Sequence, residues 1–180
     1  MMARFLKVAA LCSVALTVLF SVCHCSFETS IFLPFAITFG TFSYHFLMRL
    51  GVGIMIDSIF HNQFDYRRWW FQPRRFEAKL YKKLKVMRWK DKMPTYAPQV
   101  FSVKEHSPEE ILGAMCQAEV VHEIIIVLSF APIVASLWFG EMVVFVLTSL
   151  ISAAFDLLFV IMQRYNRPRV VRILKRKRSC

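Results

Sequence analysis

Val143 to Met162 is a run of 20 residues holding one ionisable side chain, Asp156. A helix of that length matches the hydrocarbon core of a bilayer, about 30 Å thick. Three further apolar runs precede it, Phe5 to Val22, Ile31 to Phe60 and Val121 to Phe139. The first follows Arg4 and Lys7. It reads either as a signal peptide, with Ser21 and Cys23 before a cut, or as an uncleaved helix. The second contains Gly40, Gly51 and Gly53 and carries His45, Arg49 and Asp57. One spanning helix continuing along the inner surface fits it better than a straight rod. Pro132 predicts a kink in the third run. Gly140 and Glu141 predict a tight helical hairpin between the third and fourth.

The expected fold class is an all-α integral membrane protein of about four transmembrane helices, the first being the candidate signal. The chain is 57% hydrophobic, with positive mean hydropathy, and carries a net charge of +11. That combination points to a membrane protein with basic cytoplasmic segments. Nucleic acid is not an expected partner, since that reading leaves the apolar runs without a solvent. The five Cys (12, 23, 25, 116 and 180) have no zinc-site spacing, and no metal is expected. Cys180, as the last residue, does not form a prenylation box.

Charge predicts orientation. Arg4 and Lys7 precede the first run, twelve Lys and Arg against two acids lie between Tyr66 and Lys104, and eight with no acid lie between Arg164 and Cys180. The connections at 26–30 and 140–141 hold neither Lys nor Arg. With four helices the basic segments all fall on the cytoplasmic side. The chain then divides into a helix or signal peptide at 5–24, a second membrane segment at 31–60, a basic interfacial loop at 62–118, membrane helices at 121–139 and 142–163, and a basic tail at 164–180, all within one membrane domain.

In the loop, Phe76, Leu80, Leu84 and Met87 recur at near-helical spacing among Lys79, Lys82, Lys83 and Lys85. The pattern predicts an amphipathic helix from Pro73 to Met87 lying on anionic inner-leaflet lipids. Trp69 and Trp70 suit the headgroup level. "SPEE", Ser107 to Glu110, reads as a capping box that starts a helix running into the third segment.

Four polar groups carry candidate chemistry. Asp57, His61 and Asp65 are four residues apart and would share a helical stripe. They read either as an acid–His pair or as a solvated helix end. Glu119 and His122 are three apart where a helix enters lipid. They read as a base–carboxylate dyad or as an interfacial pair, and lack the further ligands of a di-iron site. "QRYNRPR", Gln163 to Arg169, adds Tyr165 and Asn166 to a charge stop. Asp156 is an intramembrane acid, hence a functional or pairing candidate. His61, Glu119 with His122, and Asn166 are expected at one cytoplasmic level, covered by the segment Trp89 to Pro94.

"RRWWF", "RWKDKMP", "AEVVH" and "QRYNRPR", in this order and at these separations, resemble the glycosyl-4,4'-diaponeurosporenoate acyltransferase family, over roughly Leu33 to Leu174. Gln117 stands near a position where the family is expected to hold an Arg. The resemblance implies a small multi-pass protein of the bacterial cell membrane. It implies esterification of the sugar of a glycosylated carotenoid acid, the last step towards staphyloxanthin. No bound cofactor is implied; an acyl-CoA or carrier-bound acyl group enters as co-substrate, and a glycolipid accepts.

A sugar hydroxyl needs a positioned base. His122 with Glu119 as orienter is the first candidate, and His61 with Asp57 the second. Lys90, Asn166 or a backbone N–H is the candidate donor to the thioester oxygen. Arg164, Arg167 and Lys92 are candidates for donor phosphates. Asp91 would hold neighbouring cations in place, with Trp89 as the interfacial anchor. The competing readings are a non-enzymatic membrane protein that binds anionic lipid or a protein partner, and another lipid-modifying transferase.

Overall fold

The structure, a computed structural model, describes residues 2–27, 29–95, 98–102 and 105–179. Lys104 and Cys180, which enter the reading above, lie outside them. Among the described residues there are seven α-helices and no strand. They are α1 (Met2–Phe27), α2 (Phe32–Phe60), α3 (Glu77–Lys83), α4 (Val86–Trp89), α5 (Pro108–Leu128), α6 (Ala131–Phe139) and α7 (Met142–Ser179). Among the described residues, three stretches are long and apolar enough to cross a membrane: Met2–Phe27, Pro108–Phe139 and Met142–Lys177. The all-helical, membrane-type expectation therefore holds. The count of four does not follow, because α2, punctuated by His45, Arg49 and Asp57, is not among those three. α2 is one helix of 29 residues, and its glycines do not interrupt it.

The chain forms two compact units, Met1–Gly53 with Ile124–Phe155, and Ile54–Glu123 with Asp156–Cys180. The interior of the first mixes apolar side chains such as Ile37, Ile125 and Phe145 with small polar ones. Ser13, Thr41, Ser43, Ser149 and Ser152 are buried there, while Leu137 is 80% and Ile151 69% exposed. Small residues let helix backbones approach where lipid offers no hydrophobic drive for association. α1 packs on α2 in this way. The Thr17 and Ser43 hydroxyls meet at 3.2 Å, and a Cβ on Gly40 would stand 3.6 Å from the Thr17 methyl. Phe20 stacks between Phe35 and Phe39, with centroids at 5.2 and 5.6 Å. Across α5–α7, Ser129 and Ser152 share a hydrogen bond of 2.8 Å, and Arg49 donates to the Ser152 hydroxyl at 2.8 Å.

Pro132 produces a break rather than a kink. Proline has no N–H for the carbonyl four residues back, here that of Leu128. α5 ends at Leu128 and α6 begins at Ala131. The Tyr44 hydroxyl donates to the stranded Leu128 carbonyl at 2.9 Å. Gly140 (φ 68°) and Glu141 (φ 49°) make the tight link to α7; the positive φ suits glycine and is uncommon for a glutamate.

The second unit corrects two expectations. The helix anticipated from Pro73 to Met87 is split into α3 and α4, with Lys85 left-handed between them (φ 50°). Glu77 and Val86 are both buried. Nine residues apart, they would point about 180° from each other on one continuous helix. The break lets both face inward while Phe76, Leu84 and Met87 stay exposed. The basic segment at 164–179 is no separate tail, because α7 continues through it with Pro168 inside. The capping box forms as expected. Ser107 N–H donates to Glu110 Oε2 at 2.8 Å, and Glu110 N–H to Ser107 Oγ at 3.3 Å.

Candidate active site

α5 and α7 meet in the second unit through two sets of polar contacts. Glu119, wholly buried, accepts from Arg164 Nη1 at 2.5 Å and from Arg167 Nη2. Arg164 also binds Glu77 Oε1, through Nε at 2.9 Å and Nη2 at 2.7 Å. It donates to the carbonyls of Trp70 at 3.1 Å and Gln72 at 3.2 Å. An arginine has five N–H donors, and four of them are used in these hydrogen bonds. Arg167 Nη1 reaches the Phe71 carbonyl at 2.9 Å, and its guanidinium lies 5.1 Å from the Phe71 ring centroid. Trp70 Nε1 donates to Glu123 Oε2 at 2.9 Å. "RRWWFQP" is thus clamped by "QRYNR" against the α5 carboxylates. Within this cluster, the carboxylates of Glu77 and Glu119 balance the guanidiniums of Arg164 and Arg167, which makes these four side chains a neutral lock.

The Tyr81 hydroxyl donates to Glu77 Oε2 at 2.8 Å. Burial, reinforced by Glu77, raises its pKa, so the phenol keeps its proton across the physiological range.

One turn of α5 further on, His122 Nδ1 lies 2.8 Å from Asp156 Oδ1. Asp156 is 1% exposed and the His122 side chain 22%. The imidazole stacks on Phe159, with centroids 4.5 Å apart and planes 6° from parallel. An Nδ1–H donated to a buried carboxylate fixes the tautomer and leaves the Nε2 lone pair as a base. Among the described residues, no hydrogen-bond partner occupies Nε2. The arrangement can take a proton from a hydroxyl and hold the resulting imidazolium.

The orienting residue therefore differs from the sequence expectation. Glu119 serves the two arginines, and Asp156 serves His122. Arg164 and Arg167 are engaged by Glu77, Glu119 and backbone carbonyls, where the sequence reading had offered them to donor phosphates. The second proposed pair does not form either. α2 ends at Phe60, and His61 and Asn62 both take left-handed backbones (φ 47° and 62°). The Asp57 carboxylate accepts from Gln117 Nε2 at 2.9 Å, while Gln117 Oε1 accepts from Asn62 N–H at 2.7 Å. Asp65 has left the helix and caps a turn at Arg67 N–H, 2.9 Å away. Gly113 admits this loop closely, since a Cβ there would stand 2.2 Å from the Asn62 carbonyl oxygen.

The profile of the glycosyl-4,4'-diaponeurosporenoate acyltransferase family matches residues 67–176, more than half of the chain. The protein belongs to this family. The match begins at "RRWWF" and takes in α3 to α6 and nearly all of α7, so it omits the whole of α2, which the sequence resemblance had included. No curated protein matches the chain. No solved structure matches it.

For this family member the motif segments have distinct structural positions. Trp89 Nε1 donates to the Leu84 carbonyl at 3.0 Å, closing the turn between α3 and α4. Lys90 and Asp91 pair at 2.5 Å, Lys90 being 13% and Asp91 77% exposed. Asp91 thus pairs with Lys90, and Lys92 stays exposed on the same 3₁₀ turn. Asn166 lines an apolar cavity of about 290 Å³ with Gln163, Thr95, Phe101, Ile111 and Met162. Sequence reasoning missed Glu77, read only as one acid in a basic run, and the Asp156 partnership. The signal for the latter was present, since an acid with an aromatic three residues later stands on one face of an apolar helix.

Proposed function

We propose that the protein is a membrane acyltransferase that moves a fatty acyl group from a thioester donor to a hydroxyl of a glycosylated lipid, such as a glycosyl carotenoid acid. The His122–Asp156 pair, inside the family match, carries the reading. His122 Nε2 takes the hydroxyl proton as the oxygen attacks the thioester carbonyl. The new C–O bond forms, the C–S bond breaks, and the thiolate leaves to be protonated. Direct transfer suffices, since the chain has no Gly-x-Ser-x-Gly elbow for an acyl-serine intermediate. The apolar cavity beside Asn166 suits an alkyl chain, with the amide as its polar contact. Membranes containing the protein, given acyl-CoA and a glycosylated carotenoid acid, are expected to form the ester, read by mass spectrometry. Absence of any acylated glycolipid across donors of several chain lengths would overturn the reading.

The same proposal puts the basic segments on the cytoplasmic side, with exposed Trp69, Phe76 and Met87 against an anionic inner leaflet. A Cys placed at Gln99 should react with an impermeant thiol reagent only in inverted vesicles. Labelling in intact cells would reverse the topology.

A further inference from the structure

A second cavity, of about 610 Å³, lies in the same unit between the α3–α4 turn and the C-terminal part of α7. Arg74, Lys82, Lys85, Arg88, Arg169 and Arg172 line it. Among the described residues, Glu77 is the one carboxylate on its wall, and Arg164 pairs with it at 2.7 Å. Among the described residues, none of the six cations is paired with an acid. Two of them are held by aromatic rings instead. The Arg169 guanidinium lies 4.3 Å from the Tyr165 ring centroid and donates to the Tyr165 hydroxyl at 2.7 Å. Arg74 lies 5.7 Å from the Trp70 centroid. Tyr165 in turn packs edge-on against Tyr81 at 5.3 Å. An aromatic support positions a guanidinium without cancelling its charge. Arg164 and Arg167 show the opposite case, cations made inert by Glu119. Lys85 adds backbone strain. It is a non-glycine residue in the left-handed region, a conformation that costs free energy and concentrates at functional sites.

We propose that this groove is a binding site for a ligand bearing two or more phosphates. Guanidiniums from α7 and cations from the α3–α4 turn would bracket the phosphate oxygens in charge-assisted hydrogen bonds. Two sources share that chemistry, the phosphorylated nucleotide of an acyl-CoA and a phospholipid headgroup such as that of cardiolipin. The site is independent of the catalytic reading, because binding needs no turnover.

The test uses the full chain in detergent, with coenzyme A and a soluble short-chain cardiolipin as separate probes, measured by calorimetric titration. Lys85→Glu/Arg169→Glu is compared with Lys79→Glu, a cation on α3 that does not line the groove. Each lost charge-assisted contact is worth about tenfold or more in affinity. The double variant should weaken one probe by at least about tenfold, and Lys79→Glu by less than about twofold. Because the double variant reverses charge, Lys85→Gln/Arg169→Gln serves as the milder version and should lose the same probe. Loss of coenzyme A binding alone assigns the groove to the donor's nucleotide, and loss of cardiolipin binding alone assigns it to a headgroup. No groove-dependent loss for either probe, or an equal loss in Lys79→Glu, overturns the proposal. A protein inactive in ester formation that still binds a probe through the groove would refute the acyltransferase reading and leave this site intact.

Discussion

His122→Ala is expected to lower ester formation by about a hundred- to ten-thousand-fold, the usual contribution of a positioned general base, with protein level in the membrane unchanged. The imidazole stacks on Phe159 and is only partly buried, so its removal leaves a small gap rather than a broken lock. Asp156→Asn should also lower the rate. An amide can offer its NH₂ to Nδ1, stabilising the tautomer that protonates Nε2 and removing the basic lone pair from the reacting side. His61→Ala should leave product formation within about twofold, because no carboxylate among the described residues is hydrogen-bonded to that ring. Full activity in a well-expressed His122→Ala protein would eliminate the dyad as the catalytic base. Loss of activity in His61→Ala instead would move the base to the end of α2.

The largest structural effect is expected at Glu119. Removing one partner of a buried ion pair leaves uncompensated charge and typically costs about 3–5 kcal/mol. Glu119→Ala strands Arg167 and leaves Arg164 with Glu77 alone, so both the melting temperature in detergent and the membrane yield should fall sharply. Glu119→Gln should be only slightly milder, since one amide oxygen cannot accept from both guanidiniums as two carboxylate oxygens do. Had Glu119 merely oriented the His122 ring, the same substitution would lower activity and spare stability. A Glu119→Gln protein with wild-type melting behaviour and reduced product would therefore restore that role and refute the lock.

Much of the local structure is legible in the residues themselves. The capping box at Ser107–Glu110, the hairpin at Gly140–Glu141 and the membrane-type composition of three helical stretches follow from short-range chemistry. Each depends on residues within one or two turns of one another. Residue types also brought the right motifs forward, since "RRWWF", "AEVVH" and "QRYNRPR" are the segments that meet around Glu119. The family likewise rests on those motifs, and its match covers them.

Pairing was not legible, because it is decided between helices. Spacing places Glu119 and His122 on neighbouring directions of α5 but does not say what α7 sets against each. On α7, Asp156 and Arg164 are eight residues apart, about 12 Å along the axis. The antiparallel register of the two segments brings Asp156 to His122 and the arginines to Glu119. The split at Lys85 has the same origin. Periodicity followed the apolar stripe of Phe76, Leu84 and Met87, whereas burial of Glu77 and Val86 required the turn. The sequence by itself determined which side chains were available, where helices start and stop, and the kind of solvent the chain needs. Only the tertiary structure decided which charges cancel and which remain to act, because electrostatic neutralisation depends on distances of a few ångströms between segments far apart in the chain.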